Sequence, residues 1–148
     1  MPEVVAVCIS RRKGTVKKPV PEALFREDHG IEGDAHAGNG HRQVSLLAEE
    51  SIERIRQRIP RLAYGAFGEN VVTRGVDLST LRVGDRLLLG RQVELEVTQI
   101  GKDCHAPCAI AAITGNCIMP REGVFARVLR GGIVHPGDPV CQIVGTQR

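Results

Sequence analysis

Aromatic residues and long apolar runs are scarce in this chain. Phe, Tyr and Trp together make up 3% of the residues, and Trp is absent. A core without large aromatic side chains has to be built from Val, Ile, Leu and Ala, and the β-branched residues among these favour strands. No apolar run approaches the roughly 20 residues that a membrane-spanning helix needs. We therefore expect no interaction with a membrane.

The chain also lacks a strong charge imbalance, and we expect no N-terminal leader. It has 20 Lys and Arg against 17 Asp and Glu, a net charge of +3, which is too weak to indicate nucleic-acid binding. The first residues, Met-Pro-Glu, are not followed by the apolar stretch of a signal peptide. We expect a reducing cytoplasm, where the 5 cysteines would serve chemistry or metal binding more often than disulfides.

Short apolar segments separated by Gly and Pro turns predict a mostly β protein. The clearest strand is 92–98, where apolar residues alternate with polar ones. Helices are predicted at 49–59, from isoleucines with a 3.6-residue period, and at 123–130, before a Gly-Gly cap. The pattern favours one domain over 1–148, a β-barrel or sandwich with a few short helices. Further strands are predicted at 4–9, 43–47, 70–73, 87–89 and 140–144.

A first polar cluster lies in the Gly- and His-rich segment 30–43, which we interpret as loop with at most one short strand. Its glycines let backbone amides approach a ligand closely. Arg42 suits an anion, which a guanidinium grips with two parallel hydrogen bonds. His36 and His41 suit either a metal or a phosphate. The alternative is an exposed loop whose Asp and His side chains make local turns.

A second cluster, 65–70, ends in Glu69 and Asn70. These two side chains would orient a polar ligand, although a simple turn with Asn70 capping its own backbone is favoured when the segment is considered alone. The basic residues of 11–18, which include Lys13, are typical of a solvated loop. At the rim of a barrel the same loop would steer an anionic ligand.

A third cluster, 101–120, contains three thiols and an imidazole. A thiolate is the reactive form of cysteine, and neighbouring positive charge favours it. Lys102 and His105 flank Cys104 and would supply that charge, while Cys108 and Cys117 follow closely. A persulfide, a metal site and small core residues all remain open for these cysteines. The other two cysteines, Cys8 and Cys141, are predicted to be core residues of strands.

In order and spacing, these motifs together resemble the MOSC domain family. MOSC domains form the C-terminal part of molybdenum cofactor sulfurases and also occur as stand-alone bacterial proteins. The resemblance covers 4–143. It is carried by Gly30-x-x-Gly33-Asp34-x-His36, Arg42-Gln43, Phe67-Gly68-Glu69-Asn70, Val83-Gly84-Asp85, one cysteine, Phe125-Ala126-Arg127-Val128 and Gly137-Asp138.

The resemblance implies a MOSC-type β-barrel with a few short helices that binds the molybdenum cofactor (molybdopterin). It implies that Cys104 is the reactive cysteine, with Cys108 as its competitor. A carrier persulfide, a molybdenum ligand and half of a redox pair with a neighbouring cysteine all remain open for Cys104. The resemblance also implies a pterin and phosphate pocket, and Arg127 would face this pocket from the predicted second helix. With Lys13 from the basic loop, the expected cofactor-binding residues are Lys13, Gly33, Asp34, His36, His41, Arg42, Gln43, Glu69, Asn70 and Arg127.

Among the functions that the family suggests, we favour a sulfur carrier or sulfurtransferase acting on the molybdenum cofactor. Cys104 would hold a persulfide that Lys102 and His105 stabilise. We expect no pyridoxal phosphate in this chain, so a cysteine desulfurase would donate the sulfur. A molybdoenzyme or cofactor-synthesis protein would receive it. The alternatives are a molybdenum-cofactor-dependent oxidoreductase of N-hydroxylated substrates and a non-catalytic carrier of cofactor or metal.

Overall fold

A computed structural model describes residues 2–13, 15–38, 40–101 and 118–143, with the backbone alone at His41. Strands dominate the described residues, and helices are few and short. The strands are β1 (Glu3–Ile9), β2 (Lys18–Val20), β3 (Ala23–Arg26), β4 (Gly30–Ile31), β5 (Val44–Ala48), β6 (Val71–Arg74), β7 (Arg86–Leu89), β8 (Val93–Ile100), β9 (Val124–Arg130), β10 (Gly132–Val134) and β11 (Val140–Ile143). The α-helices are α1 (Glu49–Arg56) and α2 (Met119–Glu122), and single 3₁₀ turns lie at Gly40–Arg42 and Leu78–Thr80.

Most strands belong to one eight-stranded sheet with the order β11-β7-β8-β9-β5-β6-β1-β2. Among the described strands only β5 and β6 pair in parallel, and α1 lies in the connection between them. A smaller sheet has the order β10-β3-β4. The start of β1 approaches β11 through an isolated bridge between Glu3 and Pro139 and a 2.8 Å bond from Val4 N to Asp138 O. Over the described ranges this contact does not close the sheet, so the barrel remains a prediction.

Two apolar clusters form the core. The larger one lies on one face of the large sheet, where alternate residues of β8 and β9, such as Val93, Leu95 and Val128, are fully buried. The smaller one lies under α1, whose Ile52 and Ile55 pack against the strands. No helix in the described part of the chain is long and apolar enough to cross a membrane.

The predicted helix at 123–130 is wrong, because this segment is the central strand β9. Its apolar residues fit both periods: Val124 and Val128 are four apart, as in a helix, but Val124, Ala126 and Val128 also alternate, as in a strand. Pairing with β8 on one side and β5 on the other decides in favour of the strand. The predicted glycine cap is instead the start of β10 at Gly132.

The other predicted elements hold with changed ends. The strands predicted at 4–9, 43–47, 70–73, 87–89 and 92–98 correspond to β1 and β5 to β8, and the last predicted strand to β11. Helix α1 begins at Glu49 as predicted but ends at Arg56, before a turn in which Ile59 N still donates to Ile55 O. The short strands β2, β3 and β10 were not predicted, because their few residues carry no clear alternation.

Gly65 should be far less tolerant of a side chain than Gly84, although both have a positive φ of +93° and +99°. A Cβ on Gly65 would lie 2.1 Å from the backbone O of Lys17, whereas a Cβ on Gly84 meets nothing within 4 Å. Left-handed backbone alone costs an L residue about 1–2 kcal/mol, which we expect for Gly84→Ala. Gly65→Ala should cost at least about 2 kcal/mol more, because backbone has to move. Urea unfolding of both variants measures the difference, and equal losses would contradict the contact.

Candidate functional site

A buried ion pair between Lys17 and Asp34 lies just beyond the end of β1. Lys17 Nζ and Asp34 Oδ1 are 2.8 Å apart, and both side chains are fully buried. The backbone N–H of Ser10 donates to the same Oδ1 at 3.1 Å, and that of His36 donates to Oδ2 at 3.1 Å. Buried charges are tolerated only with such partners. The pair therefore fixes the loop after β4 against the end of β1.

Lys17 Nζ has three polar partners within hydrogen-bonding distance. Besides Asp34, its Nζ lies 3.1 Å from Ser10 Oγ and 3.1 Å from His36 Nδ1. An ammonium group has three donors and no acceptor, so this set uses its full capacity. The His36 side chain remains 27% exposed, while Lys17 and Asp34 lie beneath it. The partly exposed imidazole of His36 thus lies over a buried ion pair.

The turn at 65–70 contacts the backbone of Lys17, one partner of the same ion pair. The backbone N–H of Lys17 donates to Gly65 O at 2.8 Å. The fully buried carboxylate of Glu69 accepts the N–H groups of Gly65 and Phe67 at 2.7 and 3.0 Å. Burial raises the pKa of Glu69 to about 7, although its backbone hydrogen bonds and the charge of Lys17 oppose the shift. Glu69 thus stabilises the turn whose Gly65 carbonyl accepts the backbone N–H of Lys17.

Asn70 joins three strands through its amide. Its Oδ1 accepts the N–H of Ser45 at 2.9 Å, and its Nδ2 donates to Cys8 O at 3.0 Å. It is fully buried, as is Glu69. The described contacts of both side chains are made within the protein.

Arg42 does not contact the Lys17–Asp34 pair in any described interaction and lies beside the C-terminal end of β8. Its Nε donates to Gln99 Oε1 at 3.0 Å, and its guanidinium lies 5.5 Å from the ring centroid of Phe125. Gln99 in turn donates to Gly101 O at 2.8 Å, and Gly101 is the last described residue before the cysteine segment. Among the described residues, the two terminal nitrogens of Arg42 have no hydrogen-bonding partner. The guanidinium of Arg42 is half-buried, with its Nε bonded to Gln99 and its plane close to the ring of Phe125. Its two terminal nitrogens are therefore suited to an anion.

The remaining expected cofactor residues are dispersed. Gln43 is buried and bridges Asp28 Oδ1 and the N–H of Val128 at 3.1 and 3.0 Å. Arg127 is on strand β9 instead of the predicted helix, where it is exposed and pairs with Glu96 at 2.7 Å; this pair raises the pKa of Arg127. Lys13 is exposed in the loop after β1, and Gly33 takes a φ of +85° in the turn before Asp34.

The predicted catalytic residues cannot be located. Lys102, Cys104, His105, Cys108 and Cys117 lie outside the described residues, as does the side chain of His41. Within the described ranges, no three His, Cys, Asp or Glu side chains converge on a point that would hold a metal ion.

The other two cysteines differ from each other. Cys8 is a buried core residue, as predicted, and burial followed by the charge of Glu69 raises the pKa of its thiol. It is therefore protonated and a poor nucleophile. The core prediction for Cys141 is wrong: this residue is exposed, because β11 is an edge strand whose side chain at this position faces outwards.

Sequence reasoning missed three residues of the site. Lys17 was grouped with the basic loop, yet it is buried, and Ser10 and Gln99 were not singled out. No local signal marks Lys17, because its carboxylate partner is 17 positions away along the chain. Gln99 carried a weak signal as a polar residue near the end of a strongly alternating strand.

Comparison with known proteins gives a consistent result. A family model described as "MOSC domain" matches residues 32–141. The crystal structure of the YuaD protein from Bacillus subtilis is 22% identical with a TM-score of 0.76, over 99% of this chain and 98% of that chain. YiiM from Geobacillus stearothermophilus is 21% identical with a TM-score of 0.72, over 97% of this chain and 75% of that chain. At this identity, these two structures establish the fold alone.

A curated relative carries a functional name. It is called "Reductase", comes from Gibberella moniliformis, and is 27% identical over 150 residues. The match covers 87% of this chain but 27% of the relative. This chain thus spans about a quarter of that protein.

The carboxyl group of Glu69 should make stability depend on pH. Its folded-state pKa of about 7 lies above the ordinary 4.5, so the native state holds this proton more tightly than the unfolded chain. The stabilisation is present in full at low pH and is lost as the pH rises through about 7, a change of about 3 kcal/mol.

This dependence is measured by urea unfolding of the wild type and Glu69→Gln at several pH values. The free energy of unfolding of the wild type should fall relative to that of the variant between about pH 4.5 and pH 7.5. A constant difference across this range would mean that Glu69 keeps its ordinary pKa.

Proposed function

The chain belongs to the MOSC domain family, and on that premise we propose that it binds the molybdenum cofactor and carries or transfers sulfur for it as a cysteine persulfide. The observation that carries this proposal is the position of Arg42. Its guanidinium is fixed by Gln99 and Phe125 next to Gly101, from which the chain enters the segment containing Cys104. A guanidinium suited to an anion is therefore linked through Gln99 to the start of a cysteine-rich segment.

The described residues fit the anionic part of the cofactor. A phosphate needs preorganised donors, and a guanidinium provides two parallel ones. Arg42 offers such an edge, and His36 offers an imidazole on the Lys17–Asp34 base. We propose that Arg42 and His36 hold the phosphate and pterin end of the cofactor. When bound, the cofactor would supply a molybdenum centre that accepts sulfur or electrons.

The sulfur-carrying step is assigned to Cys104. Its thiolate would attack the outer sulfur of a persulfide on a donor protein. The donor's S–S bond would break, the donor thiolate would leave, and the outer sulfur would remain on Cys104 as a new persulfide. Lys102 and His105 are sequence neighbours whose positive charge would favour the thiolate. Cys8 is unsuited to this role, because burial raises the pKa of its thiol.

A second candidate function is reduction. It is favoured by the relative named "Reductase", which matches 87% of this chain. In this case Cys104 would be a molybdenum ligand, and an N-hydroxylated compound would be the substrate. An external electron donor would be required.

The partners follow from the first function. We propose that a cysteine desulfurase in the cytoplasm supplies the persulfide sulfur, and that a molybdoenzyme or cofactor-synthesis protein receives it. A recipient should approach the side of the molecule that carries Gly101 and Arg42.

Cys104→Ser should abolish persulfide loading. The protein is incubated without oxygen with a cysteine desulfurase and cysteine, and its denatured mass is then measured. We expect the wild type to gain the mass of one sulfur atom, which reductant removes, because a persulfide is covalent but reducible. The exposed Cys141→Ser is the matched control and should load normally. Loading of Cys104→Ser at the wild-type level would refute the assignment, and loading lost only in Cys108→Ser would transfer the role to Cys108.

Arg42→Gln should weaken binding of molybdopterin. Loss of one charge-assisted contact costs about 1.5–3 kcal/mol, which corresponds to a roughly ten- to hundred-fold higher Kd. Titration followed by native mass spectrometry measures this change. Arg130→Gln, which removes an exposed arginine whose Nε donates to Gln92 O, should leave the affinity unchanged. Equal affinity of the wild type and Arg42→Gln would remove the main support for the proposed function.

A further inference from the structure

A cleft of about 620 Å³ opens between α1, α2 and segment 75–79. The pairing of β8 with β9 separates this cleft from Arg42. Gln99 and Phe125, which pair with each other, both contact Arg42. The next pair, Ile100 and Val124, lines the cleft. Because successive side chains of a strand point to opposite faces, the cleft and Arg42 lie on opposite faces of the sheet.

The floor of the cleft is apolar. Leu78 and Val124 belong to the larger core cluster, and Ala48 and Val76 pack against that cluster. Ile100 is 47% exposed, which makes it one of few large apolar side chains at the described surface. Ligand clefts in proteins are mostly apolar and typically have volumes of about 300–1,000 Å³. The size and the floor of this cleft therefore suit a small molecule with an apolar group.

Arg121 adds an unused positive charge to the lining of this cleft. It is exposed on α2, and within the described ranges its side chain has no hydrogen-bonding or ion-pair partner. A second arginine of the lining, Arg54, is bonded to Glu122, which also accepts the hydroxyl of Ser51. A guanidinium without such a partner can donate two parallel hydrogen bonds to a carboxylate. Arg121 therefore suits the carboxylate of a ligand.

Glu50 and Asp77 line the same cleft from α1 and segment 75–79. Glu50 Oε2 accepts the N–H of Gly75 at 2.9 Å, and Asp77 Oδ1 accepts that of Ser79 at 3.1 Å. In the described contacts, Glu50 Oε1 and Asp77 Oδ2 accept no hydrogen bond. Because backbone N–H groups already hold both carboxylates in place, their second oxygens are preorganised acceptors for an ammonium group.

We infer that this cleft binds a free apolar α-amino acid as its zwitterion. Arg121 holds the carboxylate, Glu50 and Asp77 hold the ammonium group, and the apolar floor takes the side chain. The charges favour a zwitterion over a simple anion, because two Arg against three Asp or Glu give the described lining a net charge of −1. The inference goes beyond the proposed function, since it involves neither Arg42 nor the molybdenum cofactor.

Binding is measured by titrating L-leucine or L-phenylalanine into the nitrogen-15-labelled full chain and following its backbone amides by NMR. The amides of Gly75, Val76 and Ile100 should shift to saturation, and glycine, which lacks the apolar side chain, should leave them unshifted. Isocaproate and isoamylamine are leucine without its ammonium and without its carboxylate. Each should bind at least about tenfold more weakly than leucine. No saturable shift with either amino acid, or equal affinity for leucine and either analogue, would overturn the inference.

Two variants test the two ends of the ligand separately. Arg121→Gln removes the carboxylate partner, and the double variant Glu50→Gln with Asp77→Asn removes the ammonium partners. The replaced side chains are exposed, and Gln and Asn keep the oxygens that accept the backbone N–H groups, so both variants should fold. Each should bind leucine about tenfold more weakly or worse. Arg91→Gln, which removes an exposed arginine outside the cleft, is the matched control and should bind leucine normally.

The analogues show which end each variant affects. Arg121→Gln should bind isoamylamine as the wild type does, because this analogue has no carboxylate. Wild-type affinity for leucine in Arg121→Gln or in the double variant, or an equal loss in Arg91→Gln, would overturn the assignment of these residues. No titration involves the molybdenum cofactor or a persulfide, so a failure here is distinguishable from a failure of the proposed function.

Discussion

The buried ion pair between Lys17 and Asp34 is the interaction on which the rest of the site depends. Two charges are taken out of water, a loss that their attraction alone does not reliably offset. The surrounding hydrogen bonds from Ser10 and His36 complete the compensation and at the same time tie separate segments together. The end of β1, the loop after β4 and, through the backbone of Lys17, the turn at Gly65 are all held by this one pair. The ion pair therefore serves mainly to select one arrangement of these loops, and adds less to the free energy of unfolding.

This arrangement separates fully buried polar residues from two partly buried ones that we propose to face a ligand. The polar groups of Glu69, Asn70 and Gln43 are buried and bonded to the protein itself. His36 and Arg42 are only partly buried, and each is anchored through one part of its ring or guanidinium. The pattern suits a site that must be rigid before a ligand arrives, because preorganised donors lose little entropy on binding.

Local alternation made part of this structure predictable from the sequence, and long-range pairing decided the rest. Strand β8 was clear, because Val93, Leu95 and Val97 alternate with polar residues. The segment of β9 satisfied both the strand and the helix period, and its two neighbouring strands settled the choice. Asp34 and His36 were singled out from the sequence and lie together, whereas Arg42 of the same segment lies against Gln99 and Phe125, and the buried state of Lys17 was not predictable. A lysine is almost never fully buried unless it is paired, and its partner is distant in sequence.

The balance of charge inside the fold disfavours thiolate chemistry at Cys8. Next to Cys8, the positive charge of Lys17 is already matched by Asp34, and Glu69 adds negative potential, so burial and charge both favour the protonated thiol. Arg42 differs, because within the described ranges it has no carboxylate partner. Through Gln99 its guanidinium is linked to Gly101, after which the segment with Cys104 begins. A positive potential at that position attracts anionic ligands and favours thiolates over thiols. The same fold thus suppresses the reactivity of Cys8 and places a guanidinium near the start of the segment that carries Cys104, Cys108 and Cys117.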